Sequence, residues 1–397
     1  MTAIADRVSL AYVEESTFGV TPSGPPTLQD LRFVSENFHE EQDSQESAEI
    51  RDDRQTADVP RTAVRALGSV NHELTYGTYD DFLVGALAAT GADASAAWST
   101  VVTVGPISTI SSTAGTDSYT LSDSGSGFGS LLAKQWVKIE GFTGVDAVMN
   151  GYAKIVTASP SAIVVSGNGD GTTATAGDTI TITMGAQIVN GGTDRSWSIE
   201  REYTDLSNTF AVYTGMTVDT ANLQIQARAI VTGNFGFVGT GESDNTATVG
   251  DGSNDAGNVN GVMTGSEDVI QVVENGEVIS ANQLTLDISN NIRQRAILGL
   301  LTPESLGLGK FGLTGTAQMY FATSDIMQAY LDNTDRSLAA VIEDDDGQAY
   351  VFEMPRIKYT TGERVAGGVN TDIIANMNWT AYRHGVEGIT MRIARFA

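Results

Sequence analysis

Residues 68–89 read GSVNHELTYGTYDDFLVGALAA and contain two different hydrophobic periods. In the first part, Val70, His72 and Leu74 alternate with polar residues, as in a strand that buries one face. After Thr78, a candidate N-cap, the apolar residues take the spacing of a helix. The stretch therefore predicts a strand followed by a short amphipathic helix that packs on a sheet.

The alternating pattern recurs further along the chain. Residues 196–203 and 223–232 also alternate apolar and polar side chains, with Ile199 and Ile225 on the apolar sides. The 397 residues include 43 Gly, and turn signals recur at intervals of about ten residues. These features predict a mainly β protein built from antiparallel sheets.

Charge and composition exclude several classes of protein. The chain has 49 acidic and 22 basic residues, a net charge of −27, which opposes binding to DNA or to anionic lipid. It has no Cys and three scattered His, so we predict no disulfide framework and no metal site. No apolar run approaches the ~20 residues that span a bilayer, and the first residues lack the pattern of a signal peptide. We expect synthesis in a reducing cytoplasm and no membrane contact.

A change in composition marks an insertion. Residues 66–194 contain no Arg, whereas the rest of the chain has 17, and three of the five Lys lie in this window. Five short strand patterns fall within it, so we predict an inserted small β-domain at 106–186, facing outward and dispensable for assembly. Its Trp136 and Tyr152 are either a stacking surface for a sugar or base, or core residues. Residues 239–268 are rich in Gly and acids and predict a flexible surface loop.

The C-terminal third resembles the N-terminal part in its order of features. At a constant spacing of 244 residues, five identities follow one another through a loop, a strand and an acid-capped helix. We infer an internal duplication, in which each copy is a β-sandwich with one flanking helix. The identities are Arg51/Arg295, Gly68/Gly312, Tyr76/Tyr320, Asp81/Asp325 and Leu87/Leu331.

The acidic clusters leave two readings open, one chemical and one structural. Asp344–Gly347 is either the start of a Ca²⁺ loop or a hairpin turn, and the turn is favoured because the spacing of an EF-hand is missing. Glu200 and Glu202 are either the paired carboxylates of a glycosidase or one solvated face of a strand. No nucleophile elbow, phosphate loop or zinc motif is present. We therefore predict no catalytic residues, no metal and no cofactor.

Short segments near both ends of the chain form an ordered set. They are 11–22 (AYVEESTFGVTP), 31–32 (LR), 35–36 (SE), 47–55 (SAEIRDDRQ), 73–80 (ELTYGTYD), 352–358 (FEMPRIK) and 377–381 (MNWTA). This set resembles the tail tube proteins of long, non-contractile-tailed bacteriophages (siphophages). The resemblance covers roughly 5–90 and 280–397, and it leaves out 106–186 and 239–268.

The resemblance implies a fold and an assembly. It implies two tandem tail-tube-type β-sandwich or barrel domains, 1–105 plus 187–238 and 269–397, each with a flanking α-helix, besides the insert 106–186 and the loop 239–268. Such subunits form rings whose inner sheets join into one barrel, and the rings stack into a tube that conducts double-stranded DNA without specific binding. Because the chain looks duplicated, three chains would supply six sectors, giving a trimeric ring with pseudo-sixfold symmetry.

Two sets of residues carry this expectation. The polar faces of the alternating strands are expected to line an acidic lumen, because the opposite faces must fill the sandwich. The acidic loop near the N-terminus is expected to reach a neighbouring ring. The lumen set is Glu73, Glu200, Glu202, Gln224, Gln226, Asp287, Thr316 and Gln318. The inter-ring set is Glu49, Arg51, Asp52, Asp53 and Arg54.

The expected partners are further copies of the chain and, as the resemblance implies, the tape-measure, tail-terminator and distal tail proteins. The expected location is the tail of the virion, after synthesis in the cytoplasm of a bacterial host. Two other functions stay open: a β-rich surface or capsid decoration protein or adhesin, and an acidic polysaccharide hydrolase.

Overall fold

The computed structural model describes residues 4–321, 324–365, 368–369 and 372–397. In these residues the chain forms 27 β-strands, three short α-helices and two 3₁₀ helices. The paired strands are antiparallel, and they form one large sheet system, a seven-stranded sheet and a two-stranded hairpin. The prediction of a mainly β protein is confirmed.

The elements follow one another along the chain with these bounds. The first strands are β1 (Val8–Glu14), β2 (Gln29–Leu31), β3 (Ser35–Glu36), β4 (His39–Ser44), β5 (Arg61–Glu73), β6 (Val102–Ile107), β7 (Ile110–Ala114), β8 (Ser118–Asp123), β9 (Trp136–Glu140), β10 (Gly151–Ser159), β11 (Ala162–Ser166), β12 (Ile180–Met184) and β13 (Ala186–Val189). The later strands are β14 (Trp197–Tyr203), β15 (Phe210–Gln226), β16 (Thr232–Gly239), β17 (Gly241–Asn245), β18 (Val269–Glu274), β19 (Glu277–Ile279), β20 (Ala281–Ser289), β21 (Arg293–Arg295), β22 (Ser305–Gly307), β23 (Gly312–Tyr320), β24 (Arg336–Glu343), β25 (Ala349–Val365), β26 (Ile374–Ala381) and β27 (Arg392–Phe396). The α-helices are α1 (Asp80–Ala86), α2 (Ala94–Ala97) and α3 (Asp325–Leu331), and the 3₁₀ helices are Ala5–Arg7 and Gly144–Met149.

Two long strands, β15 and β25, connect the layers of the large sheet system. Each has 17 residues. The first part of β15 pairs with β14 and β17, and its last part pairs with β16 and β20. Gly215 lies between the two parts with φ +68°, and a Cβ there would lie 2.8 Å from the Thr240 side chain. The chain needs glycine at this crossing because a larger residue has neither the backbone freedom nor the space.

One apolar core runs through both predicted tube domains, from Leu10 to Ile393. Helix α1 packs into it through Phe82, whose ring meets the ring of Trp197 edge-on at 5.4 Å. The predicted apolar stripe of this helix is confirmed, because Phe82 and Leu87 are fully buried. The helix is shorter than its sequence pattern, since it ends at Ala86 and Ala88 already has a positive φ.

The insert forms its own seven-stranded sheet with the order β6-β12-β9-β10-β11-β8-β7 and its own apolar core. All five strands expected from the sequence are present as β8 to β12. Two more, β6 and β7, precede them, so the sheet begins at Val102, before the expected boundary at 106.

The segment 239–268 is not the flexible loop that its composition predicts. Strand β17 lies within it, and backbone hydrogen bonds join Asp255 N to Leu28 O at 2.8 Å and Met263 N to Leu74 O at 2.8 Å. The Met263 side chain is fully buried. The segment is therefore held in place against the part of the chain outside the insert, which we call the body.

The constant spacing of 244 residues also fails. Gly68 lies on the buried side of β5, where an added Cβ would meet Phe38, whereas Gly312 pairs with Ser289 on the opposite, polar side of β23. Because side chains alternate, two residues on opposite faces cannot be equivalent. Strand order is a better guide, since β5, β15, β16 and β17 recur in their pairing as β23, β25, β26 and β27.

Candidate functional site

Eight strands form a continuous antiparallel sheet in the order β4-β5-β16-β15-β20-β23-β26-β25. The pairing of β15 with β20 joins the N-terminal and C-terminal parts of the chain in this sheet. Its two faces differ sharply. Leu223, Phe235, Leu286 and Trp379 on one face are buried in the main core, so the other face must carry the residues that remain in water.

The second face, called here the polar face, consists of rows of paired polar residues. One row runs through Glu73, Thr232, Gln224, Thr285, Thr316, Asn378 and Thr361. The adjacent row runs through Asn71, Asn234, Asn222, Asp287, Thr314, Thr380 and Lys358. The remaining members are Ser69, Thr220, Gln226, Gln283, Ser289, Gln318, Asn376 and Glu363.

The polar face has little charge. Among the members named above only Glu73, Asp287 and Glu363 are acidic and only Lys358 is basic. At the β4 edge the same side carries Arg65, which is paired with Glu41 and Asp43 of β4. The rest are amides and hydroxyls, and several bind one another across strands. Asn234 Nδ2 donates to Asn71 Oδ1 at 2.7 Å. The polar face is therefore mostly uncharged, and its polar groups are partly satisfied within the sheet.

Six of the eight predicted lumen residues lie on the polar face. They come from four strands and both parts of the chain, and alternation alone placed them on the side opposite the core. They are Glu73, Gln224, Gln226, Asp287, Thr316 and Gln318.

The other two residues, Glu200 and Glu202, do not lie on it. They belong to β14, which pairs with β1 and with the first part of β15. Glu200 is only 5% exposed and accepts hydrogen bonds from Thr248 Oγ1 and Val249 N, both at 2.7 Å. The prediction that Glu200 faces water is wrong, because the segment 239–268 covers this side of β14.

Several members of the polar face were not selected from the sequence. Asn376 and Asn378 alternate with the buried Met377 and Trp379 along β26. This alternation is the signal that could have identified them. Asn71 and Asn234, on the other side of the sheet, carry the same signal.

The predicted inter-ring residues lie at the tip of a long projection between β4 and β5. Its legs are joined by a hydrogen bond from Ser47 N to Asp58 O at 2.8 Å. The tip residues are exposed, and Arg51 and Asp53 form an ion pair at 2.8 Å. An exposed pair of this kind contributes little to stability, so the tip is free to be rearranged. The tip residues are Glu49, Arg51, Asp52, Asp53 and Arg54.

The described residues do not support the metal sites that the acidic clusters and the His residues could have formed. They include no group of three or more His, Cys, Asp or Glu arranged to hold a metal ion. Asp344–Gly347 forms the hairpin turn between β24 and β25, with Asp344 Oδ1 accepting from Gln348 N at 2.9 Å.

Burial lowers the pKa of His72 to about 4, and its ring lies against Tyr79 and Phe235. Among the residues that the structure describes, no helix is long and apolar enough to cross a bilayer.

Trp136 and Tyr152 lie in neither of the predicted surroundings. Both are at most 2% exposed, so neither can stack on a ligand. They pack against Val341, Val351 and Phe396 of the body instead of joining the core of the insert. They therefore belong to the contact between the insert and the body, which we call the seam.

Comparison with known proteins agrees with this geometry. A search of curated proteins gives no match. The family model described as phage tail tube protein matches residues 5–381, nearly the whole chain. The chain therefore belongs to the phage tail tube protein family, whose members are structural proteins of the virion tail.

Proposed function

We propose that this chain closes into rings whose inner wall is the polar face, and that the rings stack into a tube through which double-stranded DNA passes. The observation that carries the proposal is a sheet with one wet face whose two end strands each have one edge without a strand partner in the described residues. Such edges are templates for pairing with another chain, and closure into a barrel removes them.

The two edges are chemically compatible. At one end, β25 from Lys358 to Val365 has β26 as its only strand partner in the described chain. At the other end, β4 pairs with β5 alone among those strands. Each edge leaves a row of backbone donors and acceptors that a second copy can satisfy.

The pairing of β15 with β20 inside the chain supplies a template for the contact between chains. Strand β20 precedes and pairs with β23 as β4 precedes and pairs with β5. Strand β25 pairs with β26 and β27 as β15 pairs with β16 and β17. These matches support an internal duplication. By this equivalence, β25 of one copy pairs with β4 of the next.

The template also fixes the register. The bulge in β15 after Val218 corresponds to the bulge in β25 after Tyr359. Asn222, which pairs with Asp287 within the chain, is then equivalent to Glu363. Asp287 is equivalent to His39 of the next copy, so the register places Glu363 opposite that His39. Each chain supplies two sectors of four strands, β4-β5-β16-β15 and β20-β23-β26-β25. Three chains then close a ring of six sectors.

The nearly neutral polar face supports passage of DNA without binding. Affinity for DNA comes chiefly from Lys and Arg that neutralise phosphates. The basic residues on this side of the sheet are Lys358 and Arg65, and Arg65 is paired with Glu41 and Asp43 of β4. A wall made mostly of amides and hydroxyls gives the phosphates few free cationic partners, and its small acidic excess repels them weakly.

Cysteine cross-linking tests the ring contact, because the chain has no Cys of its own. We expect the double variant Glu363→Cys with His39→Cys to give, after oxidation, a covalent trimer near three times the 41.8 kDa chain mass. The matched control pairs Glu363→Cys with Gln42→Cys, which is exposed on the same strand but out of register.

The cross-linked products separate the alternatives. A closed hexamer supports the contact but contradicts the trimer. A product that stays monomeric at assembling concentration, or equal cross-linking in the control, contradicts the ring contact. Electron microscopy of the same sample should show rings or tubes rather than rods.

A further inference from the structure

The hairpin formed by β21 and β22 exposes an apolar tip. Leu298 is 103% exposed, and Ile297, Leu300 and Leu301 are 43%, 52% and 43% exposed. A monomeric soluble protein seldom presents such a contiguous group of large apolar side chains. The tip is therefore a candidate interaction surface.

The hairpin is held in place rather than loosely attached. Ile292 N donates to Asp219 Oδ1 at 2.8 Å, and Val64 N donates to Leu301 O at 2.9 Å. Within the hairpin, Arg293 Nη2 donates to Leu308 O at 3.1 Å. These anchors fix the direction in which the tip projects.

The charge of the hairpin is opposite to that of the chain. Arg293 and Arg295 are exposed, and Glu304 is the one acidic residue between them and β22, although the chain has a net charge of −27. This excess of one positive charge is small, so the apolar tip is the main feature that a partner surface must match.

The other end of the same sheet offers such a surface. The hairpin follows β20 where that strand ends beside the start of β23. At the opposite end of these strands, Ile230, Tyr320 and Ile373 are 42%, 47% and 44% exposed. Glu277 and Asp372 are exposed at the same end, as are Arg228 and Arg364, so the charge of this end is mixed. We call Ile230, Tyr320 and Ile373 the apolar rim.

We propose that the β21–β22 hairpin of one copy docks on the apolar rim of a second copy in the next ring, and that its leucines provide the main attraction between rings. The inference rests on the proposed function. The contact joins unlike surfaces, so it repeats without closing and produces a stack of indefinite length. The acidic tip at 49–54 then contributes less, since it has one exposed apolar residue, Ile50.

Substitution of exposed leucines tests the proposal without disturbing the core. We expect Leu298→Ser with Leu301→Ser to shorten tubes at least tenfold by electron microscopy and sedimentation. The matched control is Ile50→Ser, at a residue that is 99% exposed, and it should leave tube length nearly unchanged. Both variants are made in the Glu363→Cys, His39→Cys background, so that ring closure is measured in the same sample.

The outcomes distinguish the two proposals. Closed covalent rings with shortened tubes support the hairpin contact. Closed rings that stack to wild-type length, or equal shortening by Ile50→Ser, contradict it. A parent protein that gives no closed rings contradicts the proposed function, and the inference falls with it.

Discussion

At the scale of the residue, the two faces of the sheet impose different limits on glycine. Gly315 lies on the buried face of β23, where an added Cβ would overlap the carbonyl oxygen of Thr285 and the ring of Trp379. Gly312 lies on the polar face of the same strand, and its nearest neighbour would be Ser289 O at 3.7 Å. Neither has a positive φ, so the difference is one of space alone.

This difference gives a matched pair of substitutions. We expect Gly315→Ala to lower the free energy of unfolding by about 2 kcal/mol, because the backbone of β20 or the Trp379 ring must move. Gly312→Ala should be neutral or slightly stabilising, since Ala loses less entropy in a strand than Gly. Urea unfolding of the two variants measures both effects, and equal midpoints would show that the close approach at Gly315 is easily relieved.

At the scale of the element, the insert is bound to the body by its lysines. Lys154 Nζ lies 2.5 Å from Glu353 Oε1 and 2.8 Å from Glu387 Oε1. Burial alone would raise the pKa of Glu387, but Lys154 and Arg392 together hold it below its usual value. A second pair joins Lys138 Nζ to Glu343 Oε1 at 2.8 Å. The concentration of Lys in the insert thus has a structural cause.

The seam argues against a dispensable insert. Deletion would expose Val341, Val351 and Phe396, which are buried beneath Trp136 and Tyr152. It would also leave Glu353 without one of its cations. We therefore expect the insert to contribute to the stability of the body, whatever it presents outward.

Single substitutions test this contribution more cleanly than a deletion. We expect Lys154→Met to lower the free energy of unfolding by about 2–3 kcal/mol, near the lower end for a broken buried pair, because Lys154 keeps 21% side-chain exposure. Lys134→Met is the control, since its Nζ makes one exposed hydrogen bond, to Val386 O at 3.4 Å. Urea unfolding provides the measurement, and equal losses in the two variants would mean that the seam has no specific role.

Sequence patterns predicted the strands well where water covers only one face. On β5, β15, β20 and β23, alternation placed every selected residue on the correct side. On β14 it failed, because five consecutive residues from Trp197 are buried and the pattern of burial has no period. The seam was equally hidden, since it depends on contacts between segments more than 100 residues apart in the sequence.

At the scale of the whole molecule, the chain separates its charge from its polar face. The net charge of −27 resides mostly elsewhere, while the polar face with its β4 edge has five acids, one Lys and one Arg. Net charge keeps a protein soluble and does not by itself define a site. The overall composition is therefore a poor guide to the charge of this one face.

Added positive charge on the polar face is the most direct test of its proposed role as the wall of the channel. In particles assembled from the variant Gln224→Lys with Thr316→Lys, which lie in one row of the face, a trimeric ring gains six cations. Each can hold a phosphate and release counterions, so we expect DNA ejection to slow about tenfold or more at low salt and to recover as salt rises. Both residues are partly exposed on a wet face, so tails should assemble normally.

The control is Ser207→Lys with Ser253→Lys, which adds the same charge at exposed positions outside the polar face. If ejection stays fast at low salt in the first variant, or slows equally in the control, the polar face does not line the path of the DNA.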